Sequence, residues 1–221
     1  MDEVFGKGQK ALSEHESKQI LEAYGIPVTE EILVGHIGNL PTAAEKVGYP
    51  LVMKGCSRGI PHKTESGLVH LNIRDETEAL AVYKEVVDRM EGDDKQVLIQ
   101  QMVKGQRELM AGMIRDPQFG PCVMFGLGGV FTELFNDTVF RVAPLEKKDA
   151  LEMMHEIRAY KILENVRGMG CVNQDELAQI LVSVGQIGLE NERIKEIDIN
   201  PIIITDGKPI AADALVILER N

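Results

Sequence analysis

Between residues 96 and 143 the chain consists of short apolar stretches broken at close intervals by turn residues. Runs at 96–102, 108–115, 121–126, 130–135 and 138–143 are separated by Asp116-Pro117, by Gly126 to Gly129 and by Asn136-Asp137. Parallel pairing needs a crossover of a dozen or more residues, and these gaps are far shorter. The stretch therefore predicts an antiparallel sheet of sequence neighbours.

Helical signals lie on either side. Ser13-Glu14-His15-Glu16 forms a capping box, Ile20, Leu21 and Tyr24 follow at helical spacing, and Gly25 and Pro27 end the run. Residues 28–34 read as extended, a short helix near 41–47 stops at Gly48, and Pro50 to Lys54 reads as a buried strand. Val69, Leu71 and Ile73 alternate as a strand, and Asp75 caps a helix to about Met90. Further helices are predicted at about 148–164 and 174–190, the second capped by Asn173 with Glu176, before a final hairpin over 194–217. The fold class is α+β, in two α/β lobes covering 10–98 and 99–221, with a seam near 95–103 suited to a ligand.

Composition narrows the function classes. With 221 residues, 44% hydrophobic and 27% charged, the chain is long enough and apolar enough for a sizeable core. Lys plus Arg number 24 against 35 Asp plus Glu, a net charge of −11, so no global basic footprint for nucleic acid or anionic lipid is present. No apolar run approaches membrane-spanning length, and Met1 to Gly6 lacks the charged-then-apolar pattern of a signal peptide. Cys56, Cys122 and Cys171 are scattered and odd in number, which fits free thiols in a reducing cytosol. A cytoplasmic protein is expected.

The C-terminal hairpin has the composition of a hard-cation site. Asp198 and Asn200 alternate with Ile197 and Ile199, so on a strand they share a face, roughly 6–7 Å apart. Asp206-Gly207 between apolar runs is a two-residue hairpin loop, and its register sets Asn200 opposite Asp213 with Asp198 on the diagonal. Three oxygen donors without thiol or imidazole suit Mg²⁺, which takes one or two carboxylates together with substrate phosphates. A solvated polar strand face is the plainer reading of the same residues, and Pro201 and Pro209 interrupt the ladder.

Residues 55–67 form a thirteen-residue connection between strands, with His62 near its middle beside Lys63. Loops of that length in compact domains are usually functional or mobile. Its contour of about 40 Å would let the tip move on the order of 20 Å. A neutral imidazole is a nucleophile, and a neighbouring lysine attracts phosphate; an incidental surface histidine is the alternative. His15, His36, His70 and His155 read as structural only.

Gly126, Gly128 and Gly129 leave backbone amides uncovered, as a phosphate nest requires, without the dinucleotide or Walker spacing. Lys54, closing an apolar strand, must meet water or an anion. Gln101, Met102 and Val103 open the seam, and Glu108 follows where it could reach a ribose hydroxyl. Arg141, between Phe140 and Val142, points to the face opposite those apolar neighbours and could contact phosphate.

Taken in order, Tyr49 to Lys54, His62 to Glu65, Asp116 to Pro121, Phe125 to Gly129, Phe140 to Leu145 and Glu196 to Pro201 resemble the ATP-grasp β subunit of ADP-forming (NDP-forming) acyl-CoA synthetases, typified by acetate–CoA ligase. The resemblance spans about residues 12–217. It implies an ATP-grasp fold whose lobes clasp a nucleotide at their seam, and a ligase interconverting acyl-CoA, ADP and phosphate with acid, ATP and CoA. It implies that His62 carries phosphate on a mobile loop, that Lys54 binds nucleotide phosphates, Gln101 and Val103 the adenine and Glu108 the ribose, and that Asp198, Asn200 and Asp213 hold Mg²⁺. It also implies a partner, a CoA-binding α subunit in an α2β2 assembly, without which turnover is not expected; no nucleic acid or membrane partner is implied. Two departures stand out. Gln100 and Gln101 replace residues that are commonly acidic in the family, and Gly67-Leu68 replaces a Gly-Gly pair. Two other uses of such a domain remain open: a different ATP-grasp ligase with His62 incidental, and a nucleotide-binding regulatory module.

Overall fold

The computed structural model describes residues 10–57, 67–92, 95–129, 137–165 and 170–219. His62, the tip of its loop and the strand expected at 130–135 lie outside the described residues. The chain divides into two units, Thr29–Val103 and residues 1–28 with 104–221.

The smaller unit contains β1 (Glu31–Val34), α2 (Leu40–Val47), β2 (Leu51–Cys56), β3 (Val69–Ile73), α3 (Glu76–Arg89) and β4 (Gln96–Gln101). Its four strands pair antiparallel in the order β1-β4-β2-β3. One face of the sheet, with Val34, Met53, Val97 and Ile99, packs against Ala43, Ala44, Ala79, Tyr83 and Val86 of the helices. Asp75 caps α3 as expected, its carboxylate accepting from the backbone N–H of Glu78 at 2.9 Å.

The larger unit contains α1 (Glu14–Ala23), β5 (Arg107–Asp116), β6 (Gly120–Leu127), β7 (Thr138–Val142), α4 (Lys147–Glu156), α5 (Gln174–Glu190), β8 (Ile194–Thr205), β9 (Lys208–Ala211) and β10 (Leu215–Leu218). Its sheet runs β10-β8-β5-β6-β7, with β9 paired to β8; these strands pair antiparallel, and an isolated parallel bridge joins Val28 to Ala211. Helices α4 and α5 cover one face: Met153, Met154, Leu177, Leu181 and Val184 pack with Ala111, Met113, Val123, Phe125, Ile197 and Ile199 in a single core. The other face carries Glu196 and Asp198 of β8. Burial of this many aliphatic side chains, each worth about 1.5–3 kcal/mol, fixes which face of each strand turns inward.

Three details depart from the sequence reading. The N-terminal helix belongs with the larger unit, not with a lobe spanning 10–98. Ser13 and Glu16 make the expected capping box, but Leu12, Ile20, Leu21 and Ile26 enter the larger core, and Leu12 N–H donates to Val216 O. The boundary near 98/99 likewise falls five residues later, after Val103. The third departure is α4, which ends at Glu156 rather than near 164. Ile157 turns to extended backbone, and the buried Asp137 carboxylate accepts from the N–H groups of Arg158 and Ala159, each at 2.8 Å. Those two amides are held by a side chain from before β7, so the chain resumes only as a short 3₁₀ turn over Tyr160–Leu163.

Arg115 closes the opposite end of α5. Its guanidinium donates to Gly188 O at 2.6 Å, Asn191 O at 3.0 Å and Ile194 O at 2.9 Å. A cation at the last carbonyls of a helix satisfies orphan acceptors and opposes the negative end of the dipole.

Candidate nucleotide and metal site

The hairpin register follows the turn. Asp206 and Gly207 both adopt positive φ, 48° and 81°, as a type I′ loop requires. Thr205 then faces Lys208, Ile203 faces Ile210, and Ile202 faces Ala211. The chain loosens over 212–214 without losing register: Ala212 N–H donates to Pro201 O at 3.0 Å, and β10 resumes with Leu215 opposite Asp198. Asn200 and Asp213 are opposite each other within that frame.

Asp198 lies on the face away from the helices, opposite Gly112 of β5. Its Oδ1 is buried and accepts no hydrogen bond. Burial first, then the charges of Glu196 and Asp213, push its carboxyl up from 3.8 to about 6. A cation at the unpartnered Asp198 oxygen would relieve both its burial and the nearby negative charge of Glu196 and Asp213. Among the described residues no three His, Cys, Asp or Glu side chains close on one point. The protein therefore offers a partial set of carboxylate and amide oxygens, which fits Mg²⁺, an ion that keeps waters and phosphate oxygens in its shell.

The glycine turn abuts this cluster. Gly128 N–H donates to Glu108 O at 2.9 Å, and Gly129 N–H donates to Asn200 Oδ1 at 2.9 Å. Gly129 has φ +61°, and the Glu108 carboxylate lies where a Cβ at residue 129 would stand. A Cβ at Gly128 would run into the carbonyl of Leu109. Gly128 requires glycine for its close approach to the β5 backbone, and Gly129 for its positive φ. The amides of residues 128 and 129 point into the protein, so they do not form the open nest expected from the sequence. Glu108, Gly126, Gly128, Gly129, Asp198, Asn200 and Asp213 all belong to this one unit.

Arg141 does not join them. It pairs across the ladder with Val123, in register with Met113 and Ile197, which places it on the helix-covered face. There its guanidinium forms an ion pair with Glu156. Its apolar neighbours Phe140 and Val142, on the opposite face, are the exposed residues, at 47% and 50%. On this edge strand the covered face ends beyond the helices, so a charge reaches solvent along it while the apolar neighbours stand on the open face.

In the smaller unit Lys54 is 5% exposed, on the sheet face away from the helices, level with Leu98 and Val69. Gln100, 3% exposed, sits one row further on that face, flanked by Val52 and Glu31. Gln101, the residue singled out from sequence, is exposed at the strand end and has the opposite parity. Val103 is half-buried beyond the strand. Alternation along β4, counted from the apolar Val97 and Ile99 that face the helices, would have marked Gln100 as the residue sharing a face with Lys54.

Residues 3–218 match the model of the ATP-grasp domain family. The β subunit of ADP-forming acetate–CoA ligase I from Pyrococcus furiosus is 46% identical over 214 residues, covering 95% of this chain and 92% of that protein. ADP-forming acetate–CoA ligase I of Archaeoglobus fulgidus is 36% identical over 92% of this chain, which matches 30% of that longer protein. Among solved structures, the dinucleotide-forming acetyl-coenzyme A synthetase 1 of Ca. Korarchaeum cryptofilum superposes with a TM-score of 0.84 at 42% identity, covering 96% of this chain and 94% of the matched one. That structure holds coenzyme A and Mg-AMPPCP, with a phosphohistidine segment pointing towards its nucleotide-binding site. With its α+β units, its glycine turn against β5 and its acidic hairpin, the chain belongs to the ATP-grasp family, as a β subunit of the ADP-forming acetyl-CoA synthetases.

Proposed function

We propose that this chain transfers phosphate between a phosphohistidine and a nucleoside diphosphate in the reaction acyl-CoA + ADP + phosphate = acid + ATP + CoA. The observation that carries the reading is the orphaned Oδ1 of Asp198, set among Glu196, Asp213 and Asn200 beside a glycine turn. Lys54 binds the nucleotide phosphates, Gln101 and Val103 the adenine, and Glu108 the ribose. Asp198, Asn200 and Asp213 hold Mg²⁺, whose contribution when bound is to neutralise phosphate charge. Gly126, Gly128 and Gly129 supply a wall without side chains, along which phosphates approach the backbone closely. Phosphoryl transfer asks a protein mainly for positioning and charge neutralisation, and these residues are of the types that provide both.

His62 is the phosphate carrier. In the direction of ATP synthesis, the P–N bond of its phosphoimidazole breaks as a terminal oxygen of ADP forms the new P–O bond, leaving the neutral ring. A CoA-binding α subunit, two copies with two of this chain, supplies the acyl chemistry. The name of the Pyrococcus relative and the longer Archaeoglobus chain support that partnership. The cytoplasm is the proposed compartment, in keeping with three free cysteines; among the described residues no helix is long and apolar enough to cross a membrane.

The test is phosphate incorporation. The chain is incubated with Mg²⁺ and γ-labelled ATP, with and without the cognate α subunit, and analysed without acid because phosphohistidine is acid-labile. Acid-labile label on the wild type that is absent from His62→Asn is the expected result. ATP binding without any label, α subunit present, would refute the transfer function and favour a regulatory nucleotide-binding role.

A further inference from the structure

We infer that Asn200 is a positioning residue for the glycine turn, holding it through its amide oxygen independently of any metal. The inference rests on the proposed nucleotide reading only for its consequence, not for its geometry. A backbone N–H only donates, so the 2.9 Å contact from Gly129 N–H fixes which end of the Asn200 amide faces the turn. The turn leaves β6 at Leu127, lies on the edge of β5 through Gly128 N–H to Glu108 O, and ends on β8 at Asn200. Gly129, at φ +61°, has the Glu108 carboxylate where a Cβ would stand. One side chain of β8 therefore fixes the spacing between the glycine wall and Glu108.

This assigns Asn200 a second use. An amide oxygen has two lone pairs, so one can serve Gly129 while the other remains for a cation. A residue acting only as metal ligand would leave the metal-free protein unchanged when substituted; a latch on the turn would not.

The measurement is hydrogen–deuterium exchange on the full metal-free, nucleotide-free chain, following the peptide that contains Gly129. Asn200→Leu keeps the side-chain size and removes the acceptor; Asn200→Asp keeps an acceptor. A hydrogen bond worth about 1 kcal/mol corresponds to roughly a fivefold change in exchange. Asn200→Leu is therefore expected to accelerate exchange in this peptide about fivefold while peptides from β5 and α5 keep wild-type rates. Asn200→Asp is expected to retain slow exchange. In EDTA, ATP affinity should fall about fivefold for Asn200→Leu. Unchanged exchange in Asn200→Leu, or equally fast exchange in Asn200→Asp, overturns the inference, as does acceleration spread over the whole unit. Slow wild-type exchange of the Gly129 peptide together with failure of the wild type to bind Mg-ATP would leave the latch standing and strike the nucleotide reading alone.

Discussion

Asp198→Asn should stabilise the protein, and the size of the gain should depend on pH. The carboxyl is held at about 6 in the folded chain against 3.8 ordinarily, through burial and the neighbouring Glu196 and Asp213. Below pH 3.8 it is protonated in both folded and unfolded states and contributes no difference. Between 3.8 and 6 the folded protein binds a proton that the unfolded chain releases, so stability falls as pH rises. Above 6 the penalty is complete. A rise of about two pK units is worth about 3 kcal/mol. The amide of Asn carries no such penalty, so the variant should gain about 3 kcal/mol near pH 7.5 but only about 1 kcal/mol near pH 4.5. Urea unfolding followed by far-UV circular dichroism, in EDTA at both pH values, measures this. Adding Mg²⁺ near neutral pH should then stabilise the wild type and not the variant, narrowing the gap. An equal advantage at both pH values, or a variant less stable than wild type near pH 7.5, would refute the electrostatic reasoning. Stabilisation of both proteins by Mg²⁺ to the same extent would remove Asp198 from the metal's ligands.

Other substitutions test separate parts of the structure. Arg115→Met leaves the carbonyls of Gly188, Asn191 and Ile194 without their cation and should cost about 2–3 kcal/mol in urea unfolding. Lys18 and Glu14 form a fully buried pair on α1 at 2.9 Å, so Lys18→Met alone should destabilise by about 3–5 kcal/mol. Adding Glu14→Leu should recover most of that loss, as a double-mutant cycle would show. Arg141→Ala should leave ATP affinity within about twofold by calorimetry, because its partner is Glu156 on the other face of the sheet.

What the sequence disclosed, and what it withheld, separates by the range of the interaction that decides each feature. The Asn200–Asp213 pairing was legible because a two-residue Asp-Gly loop dictates register for the strands it joins, and the ladder keeps that register through the irregular residues after β9. The capping residues Ser13, Asp75 and Asn173 were legible for the same reason, each acting within one turn. The end of α4 was not, because Asp137, a residue remote in sequence, takes the two amides that would have continued the helix. Nor was the position of α1, which is decided by contacts with β10 at the far end of the chain.

Face assignment failed in a more instructive way. Alternation correctly separates Arg141 from Phe140 and Val142, yet does not say which side the helices cover. That side is set by the interior strands, where Ile197, Met113 and Val123 form a continuous apolar row, and the row ends at the edge strand on Arg141. An edge strand obeys the face chosen by its neighbours even when its own residues would prefer the reverse. The same logic sets Gln100, and not Gln101, on the sheet face of Lys54, since Val97 and Ile99 choose the helix side for β4. It also explains why the contact between Asn200 and Gly129 had no local signature. Asn200 lies on β8 and Gly129 in the turn just after β6, and they meet only because the sheet order places β8 and β6 on either side of β5. In this fold the polar residues of single strands can be read from sequence; the bonds that join them across the sheet depend on strand order, and strand order is set by the core.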